Sequence, residues 1–141
     1  MMRKTVLLYM IFFLLVSVAF LGACAYQMPN FGELPLGSIV CNNRDCVTYK
    51  LSEQYILLHF HNSTDEILQI NPDSYPDLLG GSIKLYDGNF QRIYCSEKQL
   101  IVCSSDEEAI VVINCADKTV SSAISIDDFT DALEKYYCLE L

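Results

Sequence analysis

Hydrophobic and polar positions divide the chain into an unpatterned apolar leader, a short irregular link and a strand-rich remainder. Residues 5–23, TVLLYMIFFLLVSVAFLGA, are uncharged and show no alternation. From Ser38 onward, short apolar runs are broken by polar turns. Ser38 to Asn62 reads as two strands, VTYKL and YILLHFH, with Ile39-Val40 leading into the turn-rich CNNRDC. Val, Ile, Tyr and Phe favour the pleated, half-buried surface of a sheet. STDE at 63–66 has a capping-box pattern, Ser63-x-x-Glu66, but is read as a turn into a further strand, ILQI. NPDSYPDLLGG at 71–81, with two prolines and a glycine pair, is a loop.

Residues 82–124 carry the clearest pattern. SIKLY, FQRIYC, QLIVC, AIVVINC and TVSSAI are separated by the polar turns DGN, SEK, SSDEE and ADK. Short β-rich runs joined by such turns predict a β-meander. QLIVC and AIVVINC are apolar at both alternating sets of positions, so they should be central strands covered on both sides. A C-terminal helix is the expected cover. Ser125 would cap it, Asp127 and Asp128 would face the positive end of its dipole, and Cys138 would fall in its last turn. Phe129, Leu133, Tyr136 and Tyr137 recur at helical spacing. The predicted fold is α+β: one domain over 38–141, a mostly antiparallel β-meander sheet with one C-terminal helix packed on it.

The leader decides the address. Arg3 and Lys4 precede the apolar run, and small residues close it, as in a secretory signal. Leu21-Gly22-Ala23-Cys24 at its end resembles the lipobox of bacterial lipoprotein precursors. That resemblance implies a diacylglyceryl group on Cys24 and cleavage just before it. The signal peptide would then be residues 1–23, and 24–37 the lipidated cysteine and a flexible tether. Ala25 in place of an aspartate implies the outer membrane, if the host has one. Two alternatives remain. Ala23-Cys24-Ala25 also fits ordinary cleavage after Ala25 and free secretion, and Val6–Ala25, left uncut, is long enough to span a bilayer.

The chain has seven cysteines. Setting Cys24 aside leaves Cys41, Cys46, Cys95, Cys103, Cys115 and Cys138, an even set that suits a disulfide framework in an exported domain. Cys41 and Cys46 enclose a small polar loop; a bond from Cys138 would staple the helix to the sheet. The close C-x-x-C pairs typical of structural zinc are missing. Removing Arg3 and Lys4 from nine basic residues leaves seven against 18 acidic ones, a net charge of −11 for the mature chain. Such a surface repels nucleic acid and anionic headgroups.

His59 and His61 are the one weak metal candidate. Alternate residues on a strand share a face, and Asp65 or Glu66 could add a carboxylate, but two imidazoles also suit a solvent-facing pair on an edge strand. Asp106-Glu107-Glu108 lacks the alternate spacing of a calcium loop and reads as a solvated turn. Asn62-Ser63-Thr64 is a glycosylation sequon, relevant only in a eukaryotic host. No hydrolase elbow, phosphate loop or zinc-protease motif is present. The expectation is a small, non-enzymatic, lipid-anchored envelope protein without cofactor. It would be tied to the membrane by its N-terminal lipid and bind an envelope or extracellular protein. Alternatives are a secreted disulfide-stabilised binding domain, or a metal-binding protein or enzyme using His59 and His61.

Overall fold

The structure is a computed structural model, which describes residues 9–10, 29–105, 110–123, 125–129 and 133–141. Cys24 and the Asp106-Glu107-Glu108 turn lie outside the described residues. Among the described residues there are ten strands: β1 (Ile39–Asn42), β2 (Cys46–Lys50), β3 (Tyr55–Phe60), β4 (Asp65–Gln69), β5 (Ile83–Gly88), β6 (Phe90–Cys95), β7 (Gln99–Ser104), β8 (Ile110–Asn114), β9 (Val120–Ala123) and β10 (Tyr137–Glu140). They form two antiparallel five-stranded sheets, β1-β2-β3-β4-β5 and β10-β6-β7-β8-β9.

The fold is therefore all-β, not α+β. Among the described residues the expected C-terminal helix is replaced by a 3-10 turn over Ile126–Phe129 and by β10. Ser125 Oγ does accept the Asp127 amide at 3.1 Å. Tyr137–Glu140 is extended, because Tyr137, Cys138, Leu139 and Glu140 pair with Cys95, Tyr94, Ile93 and Arg92 along β6. Cys138 thus sits in a strand. Tyr137-Cys138-Leu139 can satisfy its backbone on an edge that β6 leaves open, and aromatic residues pack well there. Part of the expected apolar stripe still covers the sheet, but Tyr137 does not: it is exposed. Ile126, Phe129, Leu133 and Tyr136 pack on the outer face against Ile101, Ile110 and Val112.

The expected single meander is split in two. Only Asn89 separates β5 from β6, too little chain for a hairpin, and the strands belong to different sheets. The crossover is held by Asp65, which is 4% exposed. One of its oxygens accepts the Phe60 amide at 3.2 Å, and the other accepts the Phe90 amide at 3.1 Å. His59 Nδ1 lies 2.8 Å from the first oxygen. A proton must lie between them, so the carboxylate fixes the tautomer with hydrogen on Nδ1. CNNRDC is the tip of a β1–β2 hairpin, so Ile39–Asn42 is a strand beyond those expected.

The inner faces of both sheets meet in one core built on Leu57, Ile67, Ile93, Leu100, Val102 and Ile113, all buried. The outer face of the first sheet has its own cover. Phe31, in a 3-10 turn over Phe31–Glu33, and Leu78 pack on Ile56, Leu58, Leu68 and Ile70. Phe31 lies in the stretch expected to be a tether, yet it is 2% exposed. It is held there by Lys50, whose buried Nζ donates to the carbonyls of Phe31, Gly32 and Leu34 at 2.9, 3.1 and 2.6 Å. That Nζ also lies 5.0 Å above the Phe31 ring. A buried ammonium is tolerated only when its three protons are taken up, and here they are.

Candidate functional site

Up-and-down strands bring alternate turns to the same end of the sheets. The β2–β3 turn Ser52-Glu53-Gln54 and the β6–β7 turn Ser96-Glu97-Lys98 share a local design. Ser52 and Ser96 amides donate to the carbonyls of Tyr55 and Gln99 at 3.2 and 3.0 Å. Each serine hydroxyl then accepts an amide from its own turn: Gln54 at 3.4 Å, and Lys98 and Gln99 at 3.3 and 3.1 Å. The two turns touch where the Glu53 amide donates to Glu97 Oε2 at 3.3 Å. The start of the β8–β9 turn joins them through the Cys115 amide, which donates to Lys98 carbonyl at 2.9 Å.

These turns enclose a cleft of about 670 Å³, lined by Glu53, Gln54, Glu97, Gln99, Cys115 and Tyr136 among others. That volume suits a ligand site. Its walls are held by two phenols. Tyr55 Oη donates to the Cys115 carbonyl at 3.2 Å, and Tyr136 Oη donates to Gln99 Oε1 at 3.0 Å. Burial, then the charge of Glu97, pushes the Cys115 thiol up to about 11, partly offset by a hydrogen bond with Ser52. The thiol is therefore protonated at neutral pH and a weak nucleophile. Burial also raises the Tyr55 phenol. The cleft offers hydrogen-bonding amides, carboxylates and aromatic faces; it has no histidine to serve as base.

The histidines lie at the other end. The structure brings His59 and His61 together, rings edge to face at 5.9 Å. They are not on an edge strand: His59 is in β3, the middle strand of its sheet, and His61 is exposed just beyond its end, in the β3–β4 turn. His59 is engaged by Asp65, which itself clamps the crossover. Among the described residues no group of three or more His, Cys, Asp or Glu is placed to hold a metal ion. The Asn62-Ser63-Thr64 sequon is exposed in the β3–β4 turn.

All six domain cysteines are free thiols in the structure, and strand register explains why most cannot pair. Cys95 stands opposite Tyr137 and faces the shared core, whereas Cys138 stands opposite Tyr94 on the outer face. Cys103 stands opposite Arg92, so β6 separates it from Cys138 by two strand spacings, roughly 9.5 Å. Cys115 follows β8, two strands from Cys95. A disulfide needs Cβ atoms about 3.5–4.5 Å apart. Only Cys41 and Cys46 remain close. Cys41 pairs with Thr48, and Cys46 is its diagonal neighbour on the same face.

The shared cleft is the feature that sequence reading missed. Its signal was present in the likeness of Ser52-Glu53-Gln54 to Ser96-Glu97-Lys98, both placed at turns of the same parity. No family model, no curated protein and no solved structure matches the chain.

Proposed function

We propose that the chain is a lipid-anchored, non-enzymatic envelope protein whose β-sandwich binds a protein partner at its turn-bearing end. The observation that carries the anchor is Leu21-Gly22-Ala23-Cys24 at the end of an uncharged apolar run, with packed structure starting soon after, at Phe31. Cys24 to Asn30 spans at most roughly 20 Å of extended chain. Residues 30–34 pack at the cleft end, so a lipid on Cys24 would hold that end near the membrane surface. A binding role is supported by how the chemically versatile groups are used. His59 is tied to Asp65, Lys50 is enclosed by carbonyls, and the Cys115 and Cys95 thiols are held protonated.

Intact mass of the chain extracted from membranes, beside a Cys24→Ser control, tests the anchor. A chain starting at Cys24 with added acyl mass, lost in the control, is expected. A lipid-free chain starting at Tyr26, or an uncut chain, overturns it.

A further inference from the structure

The cleft has a neighbour. A second cavity of about 540 Å³ is lined by Asn30, Phe31, Gly32, Pro72, Asp73 and Tyr75, and Glu53 lines both. Glu53 thus stands between the two cavities and lines each of them. The first half has Tyr55 and Tyr136 in its wall, and the second has the Phe31–Tyr75 ring pair, with centroids 6.0 Å apart. Gln54 and Asn114 bring side-chain amides to the first half. Two adjoining cavities with aromatic walls and amide groups have the elements needed to hold an extended main chain.

We propose that the two cavities form one groove that docks an extended peptide segment carrying a lysine or arginine, with the cationic head against Glu53. The charge pattern selects this occupant. Glu53 and Glu97 line the first half and Asp73 the second, against Lys98 as the one base lining either among the described residues. Glu53 and Asp73 are exposed and have no ion-pair partner among the described residues. A long basic side chain would lay its apolar stem on Tyr75, which is half-buried, and place its head at the shared carboxylate. The surplus of acid over base on the whole chain would speed the encounter. The proposal rests on the turn-bearing end being the binding end, but not on the lipid.

The test is fluorescence anisotropy with labelled alanine–serine decapeptides carrying a central arginine, or glutamate in its place. It is run on the membrane-extracted chain in neutral detergent and on the Cys24→Ser chain. The arginine peptide should bind and the glutamate peptide should not. Glu53→Gln should weaken binding by about tenfold or more, as loss of a close charge pair does. Asp45→Asn removes the same charge from the distant β1–β2 hairpin and should leave binding unchanged. Equal binding of both peptides, failure of the arginine peptide to bind, or equal losses in Glu53→Gln and Asp45→Asn would overturn the groove. If the chain lacks acyl mass yet binds the arginine peptide, the anchor fails and the groove stands.

Discussion

Cys95 provides the most exacting test of the sheet register. Its side chain is fully buried between the sheets. Burial, with the neighbouring Cys138 and Cys115 adding to it, pushes the thiol from 9.0 to about 12. Alkylation proceeds through the thiolate. The rise from 9.0 to about 12 makes that thiolate about a thousandfold scarcer at pH 8 than in an ordinary cysteine. Cys115, raised to about 11, loses about a hundredfold. Cys138 is exposed. Timed iodoacetamide labelling of the folded chain at pH 8, with peptide mapping, should therefore modify Cys138 first. Cys115 should follow far more slowly, and Cys95 should react only once the chain unfolds. Cys41 and Cys46 should be the one pair to oxidise, since the exposed Asn43-Arg44-Asp45 turn can adjust to close the diagonal gap. Four thiols, Cys95, Cys103, Cys115 and Cys138, should be countable in denaturant without reductant. Labelling of folded Cys95 at the rate of Cys138, or a disulfide joining any two of those four, would refute the register and with it the shared core.

Alkaline stability follows from the same raised thiols. Above pH 9 the unfolded chain releases the Cys95 and Cys115 protons while the folded chain keeps them, so the unfolded state is favoured as pH rises. Urea midpoints should fall from about pH 9 upward, and less steeply in Cys95→Ala; an unchanged slope in that variant would show that the thiol is not buried as described. Lys50→Met should leave the Phe31, Gly32 and Leu34 carbonyls without their donor, costing about 1–3 kcal/mol. Protease should then cut within residues 30–36, and continued resistance there would mean that Lys50 does not pin the segment. Gly37 has φ +75°, and a Cβ on it would enter the Tyr137 ring. Gly37→Ala should cost at least about 1–2 kcal/mol for the left-handed backbone alone. A thermal melt should also show part of the loss recovered in Gly37→Ala with Tyr137→Ala; no recovery would mean that the ring does not rest on the glycine.

Local pattern made the strands legible and left their assembly hidden. VTYKL, YILLHFH, ILQI and the five later runs all became strands. The two-faced apolar runs QLIVC and AIVVINC lie inside their sheet with packing on both sides, because alternation directly reports how many faces are buried. The single meander failed at Asp87-Gly88-Asn89, which has hairpin composition. What turns it into a crossover is Asp65, 25 positions away from Phe90, taking an amide from each sheet. No local pattern contains that bond. The helix failed for a related reason. Phe129, Leu133 and Tyr136 keep helical spacing because one face must cover Ile101, Ile110 and Val112, and among the described residues a 3-10 turn at Ile126–Phe129 and a turn at Leu133–Tyr136 meet that demand as well. Period reports which side is buried, and only the partner decides the backbone. The cleft lies at the far limit of legibility. Each of its turns is an ordinary polar connection, and their meeting depends on strand parity in two sheets at once. Parity also puts the entry of the chain, at Phe31, beside the same cleft. The proposed lipid on Cys24 and the proposed groove are therefore coupled proposals: with that anchor, lengthening the link before Asn30 should raise the groove from the membrane without altering its walls.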